Sequence, residues 1–293
     1  MGLPLIGWLI SNFNHSRYET EPLEAVLMEV FTKEQLLFGG QRSEPRTLDI
    51  KVAVTSTSAA GHPVVLANYN RVCTDRLNYH FQRPESQQSE LKTWEAARAT
   101  SAAPTCFRPL YHEPAKQLYS DGSVYHNNPI RIADQEWKLI WPSLEDQGPD
   151  VVVSLGTQYC SKTKDRAAMQ RPAPRGMVSH ARFLRRMAVD HVNTSLDSER
   201  TWKDFLAIKS PRGEDRKRYV RINPETDREP CNLDETAKLA DLRDTTRLHV
   251  ADSQDLKLLA RQLVATCFYF EETGVEEGHN GVWVEVSGKA LCR

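Results

Sequence analysis

Apolar positions between residues 20 and 33 fall where one face of a helix needs them. Leu23, Val26, Leu27, Val30 and Phe31 repeat at i, i+3, i+4, i+7 and i+8. Pro22 suits a first helical turn, where its missing N–H is no loss. Two Val-rich runs, 51–55 and 63–69, are separated by Ser, Ala, Gly and His, a pattern that predicts two strands joined by a turn. Residues 76–90 are polar, rich in Gln, Asn and Arg, and contain Pro84, which predicts a surface loop. The Ala-rich stretch 91–103, ended by Pro104, predicts a helix able to lie close to a sheet.

Residues 117–120 lead into the turn dipeptide Asp121-Gly122. Asn128 and Pro129 then read as N-cap and first residue of a helix whose apolar side is Ile130, Ala133, Trp137, Ile140 and Trp141, and which stops at Pro142. The apolar run 151–157, closed by Gly156, suits a strand covered on both faces, as in a parallel sheet. Alternation of strands and helices from about 50 to 160 therefore predicts an α/β layer built on a parallel sheet.

Beyond this the chain changes character. Residues 158–175 read as a polar, basic loop, and 177–207 as a helix with Phe183, Leu184, Met187, His191 and Val192 on one side. A further polar stretch covers 209–235. An amphipathic helix follows over 252–267, with Leu256, Leu259, Ala260, Leu263 and Val264, and then short strand-like pieces to Arg293. No internal repeat interrupts this order.

Composition narrows the function classes. The 293 residues are 40% hydrophobic and 26% charged, as in ordinary globular chains. A net charge of −1 creates no field toward nucleic acid, so nucleic acid is not an expected partner. The basic clusters Lys162, Lys164, Arg166, Arg171, Arg175 and Arg212, Arg216, Lys217, Arg218 are interleaved with acidic residues and read as solvated loops, with Arg182, Arg185 and Arg186 as the wet face of a helix. The six cysteines (Cys73, Cys106, Cys160, Cys231, Cys267, Cys292) are scattered without a C-x-x-C pair, which fits neither zinc nor a disulfide scaffold. Reduced thiols in the cytoplasm are the expectation. Nine histidines include no H-E-x-x-H, so no metal is expected. The apolar run 2–10 lacks a charged leader and falls far short of the roughly 20 residues of a membrane span. It reads as core, and suggests that something normally precedes it.

Three segments together resemble the patatin-like phospholipase family: Ala96-Ala97-Arg98-Ala99-Thr100-Ser101-Ala102-Ala103-Pro104; Asp121-Gly122-Ser123 with Asn127-Asn128-Pro129; and Ser154-Leu155-Gly156-Thr157. The downstream stretch around Phe268-Tyr269-Phe270-Glu271 is similar to fungal members described as acyl hydrolase or lysophospholipase-like. The resemblance implies a three-layer α/β/α core, incomplete at its N-terminal side and occupying residues 1–160, followed by a mostly helical C-terminal region, 161–293. It implies a Ser-Asp dyad without a cofactor, a glycerophospholipid or lysophospholipid substrate when the domain is complete, and peripheral contact with membranes. Asp121 matches the dyad aspartate. Ser123 stands where the family has Gly or Ala.

The partner serine is absent. Only Gly274 and Gly278 are four residues apart, and the residue between them at the motif centre is Glu276, so no G-x-S-x-G occurs. The single adjacent glycine pair, Gly39-Gly40, runs into Gln41-Arg42 rather than an oxyanion loop. Ser58 near His62, Ser101 in the Ala-rich helix and Ser123 beside Asp121 are the candidate substitutes, each expected to be a structural residue, and Ser154 is expected at a strand end. The expectation is an acyl hydrolase by lineage that is inactive as this chain, with a non-catalytic lipid-binding protein or a truncated gene product as the alternatives.

Overall fold

The computed structural model describes residues 16–39, 50–72, 77–82, 87–104, 106–159, 197–226, 235–277 and 284–292. They fall in two units, one comprising residues 1–146 with 173–209, the other 147–172 with 210–293. The first opens with α1 (Glu21–Phe31), then β1 (Ala53–Ser58), β2 (Pro63–Ala67), β3 (His80–Gln82), α2 (Thr93–Thr100), β4 (Leu110–His112), β5 (Gln117–Asp121), a short α3 (Ser123–His126) and α4 (Ile130–Ile140).

β1 and β2 form the hairpin their pattern predicts, paired antiparallel from Ala53↔Ala67 to Thr57↔Pro63. Gly61 closes the turn at φ +75°, a conformation glycine takes without a Cβ clash. The five strands lie in the order β3-β2-β1-β5-β4. Only β2–β3 is parallel; β1–β2, β1–β5 and β4–β5 are antiparallel. The sheet is thus mixed, which corrects the expectation of a parallel one. The physical reason is that two of the connections, 59–62 and 113–116, are hairpin turns too short for a crossover.

Strand alternation builds a core on each face. Val64, Leu66 and Tyr119 face one side with Ala96 and Ala99 of α2. Val65, Ala67 and Tyr69 face the other with Ile132 of α4. Ala96 and Ala99 are fully buried, and their small side chains bring α2 close to β1 and β5. With α1 against α2, the layers are α/β/α, the class the sequence indicates.

The 76–90 stretch is not simply a surface loop. It supplies β3 and the buried Tyr79. The inward face of α4 is also shifted from the predicted one: Ile132 and Glu136 are buried, while Ala133 and Trp141 are exposed. Glu136 is tolerated there because Tyr69 and Tyr79 donate their hydroxyls to it at 3.0 and 2.5 Å, and Arg71 Nε lies 2.9 Å away. α5 (Ser198–Lys209) packs on α4, burying Trp202 and Phe205, with Lys209 Nζ 2.6 Å from Asp134. The remainder of the predicted 177–207 helix lies outside the described residues.

In the second unit β6 (Val152–Leu155) does pair parallel, with β7 (Tyr219–Ile222), which follows the one-turn α6 (Glu214–Lys217). It is not covered on both faces, however: Leu155 is 72% exposed. α7 (Leu239–Asp252) and α8 (Gln254–Ala265) follow, and β8 (Phe268–Glu277) pairs antiparallel with β9 (Val284–Cys292).

Candidate functional site

Asp121 ends β5, opposite Ser56 of β1 in the antiparallel register. Three contacts hold its backbone and its neighbour. Its N–H donates to the carbonyl of Ala102 at 3.0 Å, just past α2. Its carbonyl accepts the Thr57 hydroxyl at 2.9 Å. The preceding carbonyl, of Ser120, accepts the Ser56 hydroxyl at 2.7 Å. Thr100 adds a hydrogen bond from its hydroxyl to the Thr55 carbonyl at 2.7 Å. The Ala-rich segment and the Asp-Gly segment are therefore parts of one joint: the end of α2 is tied to β1 and β5 where the carboxylate emerges.

Gly122 explains the dipeptide. A Cβ built there would lie 2.2 Å from the Thr55 carbonyl oxygen and 2.3 Å from its Oγ1. The chain turns directly against β1, and only a residue without a side chain fits.

The carboxylate is half-buried. Burial raises the Asp121 pKa above its ordinary value; hydrogen bonds from the Ser123 backbone N–H, at 2.7 Å to Oδ1, and from the Ser123 hydroxyl pull it down. A Gly or Ala at position 123 would supply the first of these but not the second. His126, one turn into α3, has its pKa lowered by burial and then by Arg131, and its Nε2 is buried without a partner among the described residues. Tyr125 donates its hydroxyl to the Gly61 carbonyl, tying α3 to the β1–β2 turn.

The structure brings Asp121 and Ser123 together but not the other serines. Ser58 accepts the His62 backbone N–H at 3.3 Å and braces the turn. Ser101 donates to the Ala97 carbonyl at 2.7 Å. Ser154 lies in the second unit, where Arg221 Nη1 donates to its hydroxyl at 2.8 Å. Asn128 is buried two residues before α4, whose N-cap is Pro129 rather than the predicted Asn128; its Oδ1 accepts the Ile130 N–H at 3.3 Å and its Nδ2 donates to the Ser198 carbonyl at 3.1 Å. Of the basic clusters, Lys162 to Arg175 and Arg182 to Arg186 lie outside the described residues, as do Cys73, Cys160 and Cys231. Among the described residues no three His, Cys, Asp or Glu side chains converge as metal ligands would, and no helix is long and apolar enough to cross a membrane.

Ser56 and Thr57, which position the Asp121 strand end, are not singled out by any motif in the sequence. The signal existed in the alternating Thr-Ser-Thr-Ser run 55–58, but its meaning depends on the β1–β5 register, which is set by a partner 64 residues away.

Comparison with known proteins bears out the resemblance over this region. The patatin-like phospholipase model matches residues 4–134, which include the Ala-rich segment and Asp121 to Pro129 but stop short of 154–157. Calcium-independent phospholipase A2-gamma of Oryctolagus cuniculus is 28% identical over 160 residues, 52% of this chain and 18% of that protein. The human form is 24% identical over 153 residues, with the same coverage. The 85/88 kDa calcium-independent phospholipase A2 of Rattus norvegicus is 27% identical over 240 residues, 73% of this chain and 27% of that protein. The chain thus spans less than a third of the length of these relatives.

Proposed function

We propose, on the premise that residues 4–134 are a patatin-like phospholipase segment, that this chain carries the base half of a lipid ester hydrolase site, with Asp121 as the proton acceptor, and that its 293 residues alone do not cleave esters. One observation carries the reading: a half-buried carboxylate at the end of β5, fixed by β1 and by Ser123, with a proton affinity raised by burial. A serine hydroxyl is a weak nucleophile until such a base takes its proton. It also needs donors aimed at the developing oxyanion, each worth about 10²–10³ in rate.

Those other parts have no counterpart motif in the sequence. It has no G-x-S-x-G. The hydroxyl of Ser56, the cross-strand partner of Asp121, is donated to a backbone carbonyl, and that of Ser123 to Asp121 itself. The substrate class is a glycerophospholipid or lysophospholipid ester, met at a membrane surface from the cytoplasmic side. The same absence favours a second reading, in which the scaffold binds lipid without turning it over.

The test incubates the full chain with a fluorescent lysophospholipid and, separately, with a fluorophosphonate probe. No turnover above background and no labelled serine is the expected result. Turnover that disappears in Asp121→Asn would keep Asp121 as base and overturn the inactivity. Turnover that survives Asp121→Asn would overturn the Asp121 assignment. Co-sedimentation with phosphatidylcholine vesicles, in the absence of turnover, would favour the second reading.

A further inference from the structure

Of the 16 prolines in the chain, Pro211 alone follows a serine or threonine. The dipeptide Ser210-Pro211 lies after the end of α5 and before α6, where the chain passes from the first unit to the second. Ser210 is exposed and has φ +47°, a left-handed backbone that turns the chain out of the helix. Pro211 has no N–H to offer and cannot continue the helix. Ile208, two residues before the serine, is 72% exposed, so the end of α5 is open to solvent on that side.

The four cations that follow are not equivalent. Lys217 Nζ lies 2.7 Å from Glu214, and Arg218 Nε 3.5 Å from Asp215. Arg212 and Arg216 form no ion pair among the described residues, and Arg216 donates from Nη1 to the Tyr219 carbonyl at 2.8 Å. The turn from 212 to 216 is closed by the Asp215 N–H on the Arg212 carbonyl at 3.1 Å and the Arg216 N–H on the Gly213 carbonyl at 3.3 Å. Two guanidinium groups without a carboxylate thus stand two and six residues beyond an exposed hydroxyl.

We infer that Ser210 is a phosphate-acceptor site for a proline-directed protein kinase, and that Arg212 and Arg216 hold the phosphate. In the transfer, the Ser210 hydroxyl oxygen bonds to the γ-phosphorus of the kinase-bound nucleoside triphosphate. The bond from that phosphorus to the nucleoside diphosphate breaks, and the hydroxyl proton passes to the kinase's base. The group gained carries about −1.5 to −2 charge at pH 7. The C-terminal end of α5 repels it, whereas a guanidinium fork matches its oxygens two at a time. Pairing with two arginines restrains the segment 210–216. The inference is independent of ester cleavage and of the Asp121 joint.

The experiment incubates the full chain with a cyclin-dependent-type kinase and magnesium ATP, and mass spectrometry counts and locates the phosphate. One phosphate per chain, on Ser210, is expected. Ser210→Ala removes it and Ser210→Thr keeps it. Pro211→Ala slows incorporation about tenfold or more, the loss expected when an apolar pocket goes unfilled, with the melting temperature retained. Titration of the phosphate, followed by phosphorus NMR, reads the arginines: its last proton is held about two- to fivefold more weakly in wild type than in the double variant Arg212→Gln with Arg216→Gln, the range of an exposed ion pair. A wild-type chain left unmodified, or modified only at other residues, overturns the site, and that result needs no variant. Incorporation into Pro211→Ala at the wild-type rate overturns the proline-directed assignment. Equal titration with and without the two arginines overturns their role.

Discussion

Gly122 rests against the backbone of Thr55, so closely that a β-carbon would sit 2.2 Å from the Thr55 carbonyl oxygen and 2.3 Å from its carbonyl carbon. The residue after Asp121 is thereby a wedge point between β5 and β1. The position of the carboxylate is set by that contact as much as by its own hydrogen bonds.

Gly122→Ala is expected to destabilise the first unit. The obstructing atoms are main chain and cannot rotate away, so β1 and β5 must part. Overpacking of this kind typically costs about 1–3 kcal/mol. Urea unfolding of the variant, set against wild type at the same pH, checks it; a change within about 0.5 kcal/mol would mean that the strands separate freely at this point.

Asp121→Asn is expected to change the pH dependence of stability. Burial raises the folded-state pKa, so the folded form favours the protonated acid. The stability this gives is fully present below the unfolded-state pKa and is lost as pH rises through the folded one. Asn keeps an oxygen to accept the Ser123 N–H but carries no charge. The variant should therefore gain on wild type as pH rises from 4 to 7. Chemical denaturation at both pH values measures the difference, and a gap that widens toward pH 4 would contradict the direction.

Much of this was legible in the sequence where a local pattern decides the outcome. The β1–β2 hairpin, α2 and α4 follow from runs of adjacent residues and their Gly, Pro and Asn punctuation. Asp121 was legible only through its flanking motif, because an Asp-Gly pair by itself is an ordinary turn. What escaped was non-local. Pairing of β2 with β3 joins residues about 16 apart across a polar stretch with no strand-like alternation. Burial of Glu136 depends on Tyr69, Arg71 and Tyr79, all at least 57 residues earlier. No helical-period argument places a carboxylate on the inward face, and the predicted face of α4 was accordingly rotated toward Ala133 and Trp141.

Glu136→Ala is expected to cost about 3–5 kcal/mol, the range for removing one partner of a buried ion pair. It leaves Arg71, buried and stacked 4.0 Å from the Phe81 ring centroid, without its counter-charge. The double variant Arg71→Met with Glu136→Leu removes both charges and should lose less than the sum of the two single changes. A double-mutant cycle in urea reports this coupling, and strict additivity would show that the pair does not act together.

His126 should make the fold sensitive to mild acid. Its Nε2 is buried without a partner among the described residues, and protonation would place a charge there beside Arg131. Burial, and then Arg131, lower its folded-state pKa below the ordinary 6.5. The sign follows: stability is present above the unfolded-state pKa and is lost as pH falls toward the folded one, because the unfolded chain takes up the proton first. His112 acts in the same direction, since burial outweighs the attraction of Glu95 at 3.7 Å. His126→Phe should therefore flatten only part of the stability loss between pH 7 and 5, and adding His112→Phe should flatten more. Melting temperatures across that window distinguish the variants. A wild-type profile that is flat from pH 7 to 5, or that rises, would show that the imidazole at position 126 reaches water once it is charged.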